Sequence, residues 1–102
     1  MNTNGKKKQW GPMLWSILHM IAEFYNPVLY KEYLFFYDKI LLKIIPCIEC
    51  RKHTYQYISH NQPNLHTKEH LRKWTYDFHN YVNSSLNKKI YIYGKHDIYN
   101  VS

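Results

Sequence analysis

Cys47 and Cys50 are the only two cysteines in the 102-residue chain, and they stand in the run Pro46-Cys47-Ile48-Glu49-Cys50. A CxxC that opens a helix places both sulfurs on one face, close enough to form a strained, reducible disulfide. The first sulfur then lies near the positive end of the helix dipole, which stabilises thiolate. Cysteines in such settings have thiol pKa values lowered to about 3.5–7.5, from about 8.5 for a free thiol. On this reading Cys47 is the attacking and exchanging sulfur and Cys50 its resolving partner. Two cysteines are too few for a secreted disulfide framework, which leaves redox chemistry or metal binding.

The metal reading has a ligand set of its own. After fifteen intervening residues, Cys50 is followed by His66 and His70, a C-x2-C, H-x3-H spacing, with His53 as a possible substitute. The alternative function is therefore a zinc-stabilised, basic nucleic-acid-binding module held by Cys47, Cys50, His66 and His70. A finger of that class wants its cysteines in a β-hairpin, however, and this pair lies between two amphipathic helical patterns. The spacer also holds a whole predicted helix and a proline-containing loop.

Two further stretches carry polar groups among rings. The first is Trp10-Gly11-Pro12-Met13-Leu14-Trp15, followed by Leu18-His19. The second is His79-Asn80-Tyr81-Val82-Asn83, in which His79, Val82, Asn83 and Leu86 fall at i, i+3, i+4 and i+7 on one helical face. Asn83 is a poor helix former in mid-helix, so its amide is expected to have a function. A face of flat apolar contact with few fixed hydrogen bonds suits an oriented ligand. Lys88-Lys89 just beyond could meet a pyrophosphate or simply water. Eleven Tyr, three Trp and four Phe fit either biased coding or a ligand lined by rings.

The elements that must position these residues read as helices throughout, so the fold class is all-α. Helix one is expected from about Pro12 to Tyr25, with Leu14, Ile17, Leu18, Ile21 and Tyr25 facing the core and Trp15, His19 and Ala22 on a second face. Asn26-Pro27 ends it. Helix two spans about Val28 to Ile44 and carries Leu29, Tyr33, Phe36, Tyr37, Ile40 and Ile44 on one stripe. A third helix starts at the cysteines and runs to about Ile58. Residues 60–64 are a loop by composition. Thr67 is a good N-cap for a fourth helix, with Glu69 in its first turn and Leu71, Trp74 and Phe78 on its core side, ending near Leu86. Lys88 to Tyr93 is extended or irregular, and Gly94 to Val101 is expected as one last short turn of helix.

The net charge of +7 concentrates in part at Lys6-Lys7-Lys8, within a basic N-terminal tail expected to be disordered over residues 1–9. One domain of residues 10–102 follows. The remaining basic residues form no stripe, so no nucleic-acid partner is expected on the redox reading. No run approaches the roughly 18 apolar residues needed to span a bilayer, and no apolar segment follows the N-terminal lysines as in a secretory signal. No membrane partner is expected either, and the compartment expected is the cytoplasm or a virion.

Taken together, W-G-x-x-x-W-x-x-L-H, then P-C-x-x-C, then W-x-x-x-x-H-N-x-V-N-x-x-L-x-K resemble the Erv/ALR flavin-linked sulfhydryl oxidases over roughly residues 10 to 93. The resemblance implies a four-helix bundle with a short fifth C-terminal helix, FAD as cofactor, and disulfide formation in a protein dithiol or thioredoxin-like substrate. It further implies O2 as electron acceptor, hydrogen peroxide as product, and a homodimer through the first helices. By the same similarity Cys50 lies against the isoalloxazine ring and Cys47 faces incoming thiols. Gly11, Trp15, His19 and Tyr25 contact the cofactor from helix one, and His53 sits beside it. His79, Asn80, Val82, Asn83 and Lys88 hold its adenine and phosphate side. The chain departs from the cellular members, whose structural disulfide would align with Tyr76 and Tyr93 and whose shuttle cysteine pair has no counterpart here. Compact members from large DNA viruses are similar in lacking both.

Overall fold

Proline and asparagine divide the chain into helices. The computed structural model describes residues 3–85, with side chains from Trp10 to Ser84. Helix α1 runs Thr3–Glu23 with Pro12 inside it. It therefore starts well before the expected Pro12, within the segment read as a basic tail. The chain leaves α1 at Tyr25 and Asn26, and Asn26 is extended (φ −132°, ψ 132°), the geometry favoured before proline. Its Oδ1 accepts from the Val28 N–H at 3.0 Å and caps a short 3-10 turn, Pro27–Leu29.

Helix α2, residues 30–44, is not uniform. Tyr30–Phe35 is α-helical, Phe36–Ile40 forms a π turn, and Leu41–Ile44 returns to α geometry. The Leu41 N–H reaches the Phe36 carbonyl, an i→i+5 bond that takes one extra residue into the turn. That residue corrects the expected stripe. Tyr37, Leu41 and Ile45 are buried, whereas Ile40 is half-buried and Ile44 exposed, a displacement of one position. Ile45 is extended ahead of Pro46, and α3 follows at Ile48–His60. It closes at Asn61, whose N–H and Nδ2 both donate to the Tyr57 carbonyl.

Helix α4 spans Lys68–Ser85. Thr67 caps it as expected, its Oγ1 accepting from the His70 N–H at 3.1 Å. Helices α1 and α4 pack along each other, and the core lies mainly between them and the buried stripe of α2. Leu18, Ala22 and Tyr25 meet Leu71, Trp74 and Phe78 there, with Tyr37, Leu41 and Ile45 from α2. The buried strip of α1 therefore combines its two expected faces, while Ile17, expected inside, is exposed.

Three hydrogen bonds tie the pieces at their ends. Tyr33 Oη donates to the Ile21 carbonyl, Tyr25 Oη to the Leu65 carbonyl, and Trp74 Nε1 to the Asn61 carbonyl. Arg72 of α4 bridges Glu23 at the end of α1 and Glu69 one turn back, at 2.6 and 2.7 Å. Four helices and no strand make up the described residues, in agreement with the expected all-α class. The expected last turn, Gly94 to Val101, lies outside them.

Candidate redox and cofactor site

Cys47 is the N-cap of α3 (φ −106°, ψ 123°), placed there because Pro46 ends the preceding backbone in extended geometry. Its Sγ accepts from the Cys50 N–H at 3.3 Å. The first turn of a helix has backbone N–H groups without intrahelical partners, and here one of them is aimed at the first sulfur. Such a donor favours the charged form of a thiol. Both cysteines are half-buried, and Cys50 packs against the core cluster. Glu49 and Lys52 pair weakly at 3.9 Å on the exposed side of the same turn. Arg51 turns back so that its Nε donates to the Ile45 carbonyl at 2.6 Å.

The second assembly lies where α1 meets α4. His19 and His79 are both buried, and His19 Nε2 stands 3.1 Å from His79 Nδ1. One of these nitrogens donates and the other accepts, so the pair fixes both rings. Trp15 stacks on His79 with centroids 4.0 Å apart and planes 10° from parallel. Phe78 meets the Trp15 ring edge-on at 5.0 Å, and Tyr76 meets His19 likewise at 4.7 Å. Burial lowers the His19 pKa from 6.5 to about 4, so this imidazole stays neutral at ordinary pH.

Asn83 lies one turn beyond His79 and is 2% exposed, yet its Nδ2 has no hydrogen-bond partner among the described residues. A buried amide N–H left unmade costs about 1–3 kcal/mol. A polar ligand atom would remove that cost. Together with the fixed wall of Trp15 and two histidines, this amide is what a large, flat, partly polar cofactor requires.

The other expected residues are distributed around these two assemblies. Gly11 lies one turn ahead of Trp15, and a Cβ there would meet nothing within 4 Å, so packing does not demand glycine. Val82 packs against the core and Asn80 is half-buried beside it. His53 is exposed on α3, one turn after Cys50. Tyr25 is buried, but its hydroxyl is committed to Leu65 and its ring to Tyr33, away from the Trp15 and His79 contacts. Lys88 lies outside the described residues, as does Tyr93. Tyr76 and Arg51 were not expected at the site. Helical arithmetic held a signal for each, since Tyr76 precedes His79 by three and Arg51 follows Cys47 by four.

The zinc alternative is not supported. His70 Nδ1 is 2.6 Å from Thr67 Oγ1, and its ring meets His66 edge-on. Among the described residues no three His, Cys, Asp or Glu side chains converge to hold a metal ion. An open cleft of about 610 Å³ lies between Pro27, Tyr30, Leu34 and residues 62–66, and none of the expected cofactor residues lines it. No helix among the described residues is long and apolar enough to cross a membrane.

Comparison with known proteins places the chain in a family. The model of the Erv1 / Alr family matches residues 12–99, most of the chain and both assemblies. The chain belongs to the Erv1 / Alr family. A protein of African swine fever virus named FAD-linked sulfhydryl oxidase is 39% identical over 84 residues, covering 79% of this chain and 71% of that one. The mitochondrial FAD-linked sulfhydryl oxidase ERV1 of Saccharomyces cerevisiae is 33% identical over 88 residues, covering 79% of this chain and 44% of the yeast protein. Within the family, the chain thus resembles a compact viral protein over a greater share of that relative's length.

Proposed function

We infer that this member of the Erv1 / Alr family is an FAD-linked thiol oxidase that forms disulfides in protein dithiols through Cys47 and Cys50. The observation that carries the reading is the cap geometry: an exchangeable sulfur at the start of α3, and a second sulfur one turn on that packs toward the core. A substrate thiolate attacks Cys47 of the Cys47–Cys50 disulfide. The S–S bond breaks, Cys50 departs as thiolate, and a mixed disulfide joins substrate and Cys47. The substrate's second thiolate then displaces Cys47, leaving an oxidised substrate and a reduced pair. FAD, when bound, supplies the two-electron acceptor that returns the pair to disulfide and passes the electrons to O2 as hydrogen peroxide.

The chain's own residues bind, orient and exclude water. Trp15, His19 and His79 offer a rigid aromatic wall, and Asn83 offers a donor that would otherwise be buried without a partner. Asn80, Val82, Gly11, Tyr25, His53 and Lys88 complete the proposed cofactor set. A homodimer is supported by Met13, Ile17, Met20 and Phe24. These exposed apolar residues alternate by four, three and four along α1, the spacing of a seam that packs on a partner helix.

The test is direct. Purified protein should show visible flavin absorption, and Cys47→Ser and Cys50→Ser should each abolish peroxide-yielding turnover of a dithiol while the flavin stays bound. A serine variant with full thiol-oxidase activity overturns the scheme.

A further inference from the structure

The segment Ile45-Pro46-Cys47 leaves helical geometry between α2 and α3, yet it must hold Cys47 at the helix cap. One side chain reaches across it. Arg51 Nε donates to the Ile45 carbonyl at 2.6 Å, while the Arg51 backbone N–H donates to the Cys47 carbonyl at 2.9 Å. The backbone bond is the first of α3, so the side-chain bond to Ile45 is the one that arginine adds. Its guanidinium is a permanent cation, and the fork geometry lets it keep donors to spare. Burial of the Ile45 side chain in the core makes that carbonyl a fixed point.

Arg51 is itself exposed, as are the other charged and titratable side chains near this end, and among the described residues its bond to the Ile45 carbonyl sets it apart. Glu49 and Lys52 face each other on the exposed side of α3, His53 is exposed, and Lys43 is exposed near the end of α2. Lys73 and Asp77 of α4 pair with each other, and Asp77 acts on Tyr57, two turns further along α3.

We propose that Arg51 is a positioning residue for the redox pair: fastened to the Ile45 carbonyl, it fixes the turn before Cys47 and stabilises the Cys47 thiolate. This rests on the reading of Cys47 and Cys50 as a dithiol–disulfide couple. Stabilising the thiolate stabilises the reduced pair, so Arg51 makes the disulfide a better oxidant of substrate thiols. A cation fastened to the carbonyl two residues before a partly exposed sulfur should shift the thiolate-to-thiol ratio by roughly three- to tenfold.

The experiment uses the full chain loaded with FAD, under anaerobic conditions, as wild type, Arg51→Gln, Arg51→Lys and Lys52→Gln. Two quantities are read. The pH dependence of iodoacetamide alkylation at Cys47, followed by mass spectrometry of the reduced protein, gives the thiol pKa. Equilibration with glutathione buffers gives the disulfide fraction, one oxidised glutathione converting the dithiol to disulfide with release of two reduced glutathiones. Arg51→Gln should raise the Cys47 pKa by about half to one pH unit. It should also favour the disulfide three- to tenfold, about 15–30 mV. Arg51→Lys keeps the charge but loses the fork and should fall between, and Lys52→Gln should match wild type. Wild-type values in Arg51→Gln, or an equal shift in Lys52→Gln, overturn the proposal. A wild-type protein whose cysteines form no disulfide in any glutathione buffer would instead defeat the underlying assignment of the pair.

Discussion

Acidification from about pH 7 to about pH 4 sets a proton against the packing around His19. The imidazole is 2% exposed, bonded to His79 and met edge-on by Tyr76, and burial holds its pKa near 4 against 6.5 in the unfolded chain. Above 6.5 neither state binds the proton, and the fold keeps its full stability. As pH falls below 6.5 the unfolded chain takes up a proton that the folded protein refuses, so stability declines until the folded form is protonated near 4. At about 1.4 kcal/mol per pH unit, that interval amounts to roughly 3 kcal/mol. For a chain of this size the loss lowers Tm by about 10–20 °C. The assay is thermal unfolding across this pH range at a fixed excess of FAD, comparing wild type with His19→Gln, which retains a side-chain amide but cannot take the proton. The difference between the two curves reads the His19 proton together with its effect on the bonded His79. The variant should lose about 3 kcal/mol less than wild type between pH 6.5 and 4. Parallel curves would refute the reasoning.

Three further outcomes follow from buried or exposed side chains already described. Tyr37 Oη is buried with no hydrogen-bond partner among the described residues, so Tyr37→Phe should raise stability by about 1 kcal/mol in urea unfolding; a loss would mean that the hydroxyl has a partner. Asn83→Leu keeps the volume and removes the donor, and should weaken FAD binding at least about fivefold in a fluorescence-quenching titration. Unchanged affinity would take Asn83 out of the cofactor set. Charging the outer stripe of α1 with Met20→Glu and Phe24→Glu should convert a dimer to monomer in sedimentation, and an unaltered mass would place the subunit contact elsewhere.

The order of helices was legible because its punctuation is local chemistry. Asn26-Pro27 and Ile45-Pro46 force extended backbone, and Thr67 supplies the cap its position suggests. The redox pair was legible for the same reason, since a CxxC after proline needs only one helical turn. The rest depended on what lies across the core. Periodicity alone gave α1 two candidate faces, and packing against α4 chose the strip containing Leu18, His19 and Ala22 while leaving Ile17 outside. Tyr76 and Arg51 shared faces with recognised residues, but no sequence rule indicates which neighbour a long side chain will reach. The stripe of α2 slipped by one position because hydrophobic spacing carries no mark for an i→i+5 bond.

That π turn also changes what the chain can tolerate. In a regular helix, removing one residue rotates everything downstream by about 100° and withdraws its core side chains. Within Phe36–Ile40 the same deletion would only tighten the turn to α geometry, leaving Leu41, Ile45 and the cysteines beyond them facing as before. The segment leading to the redox pair therefore has slack for a lost residue at this one place, and an ancestral insertion there would have left the chemistry undisturbed.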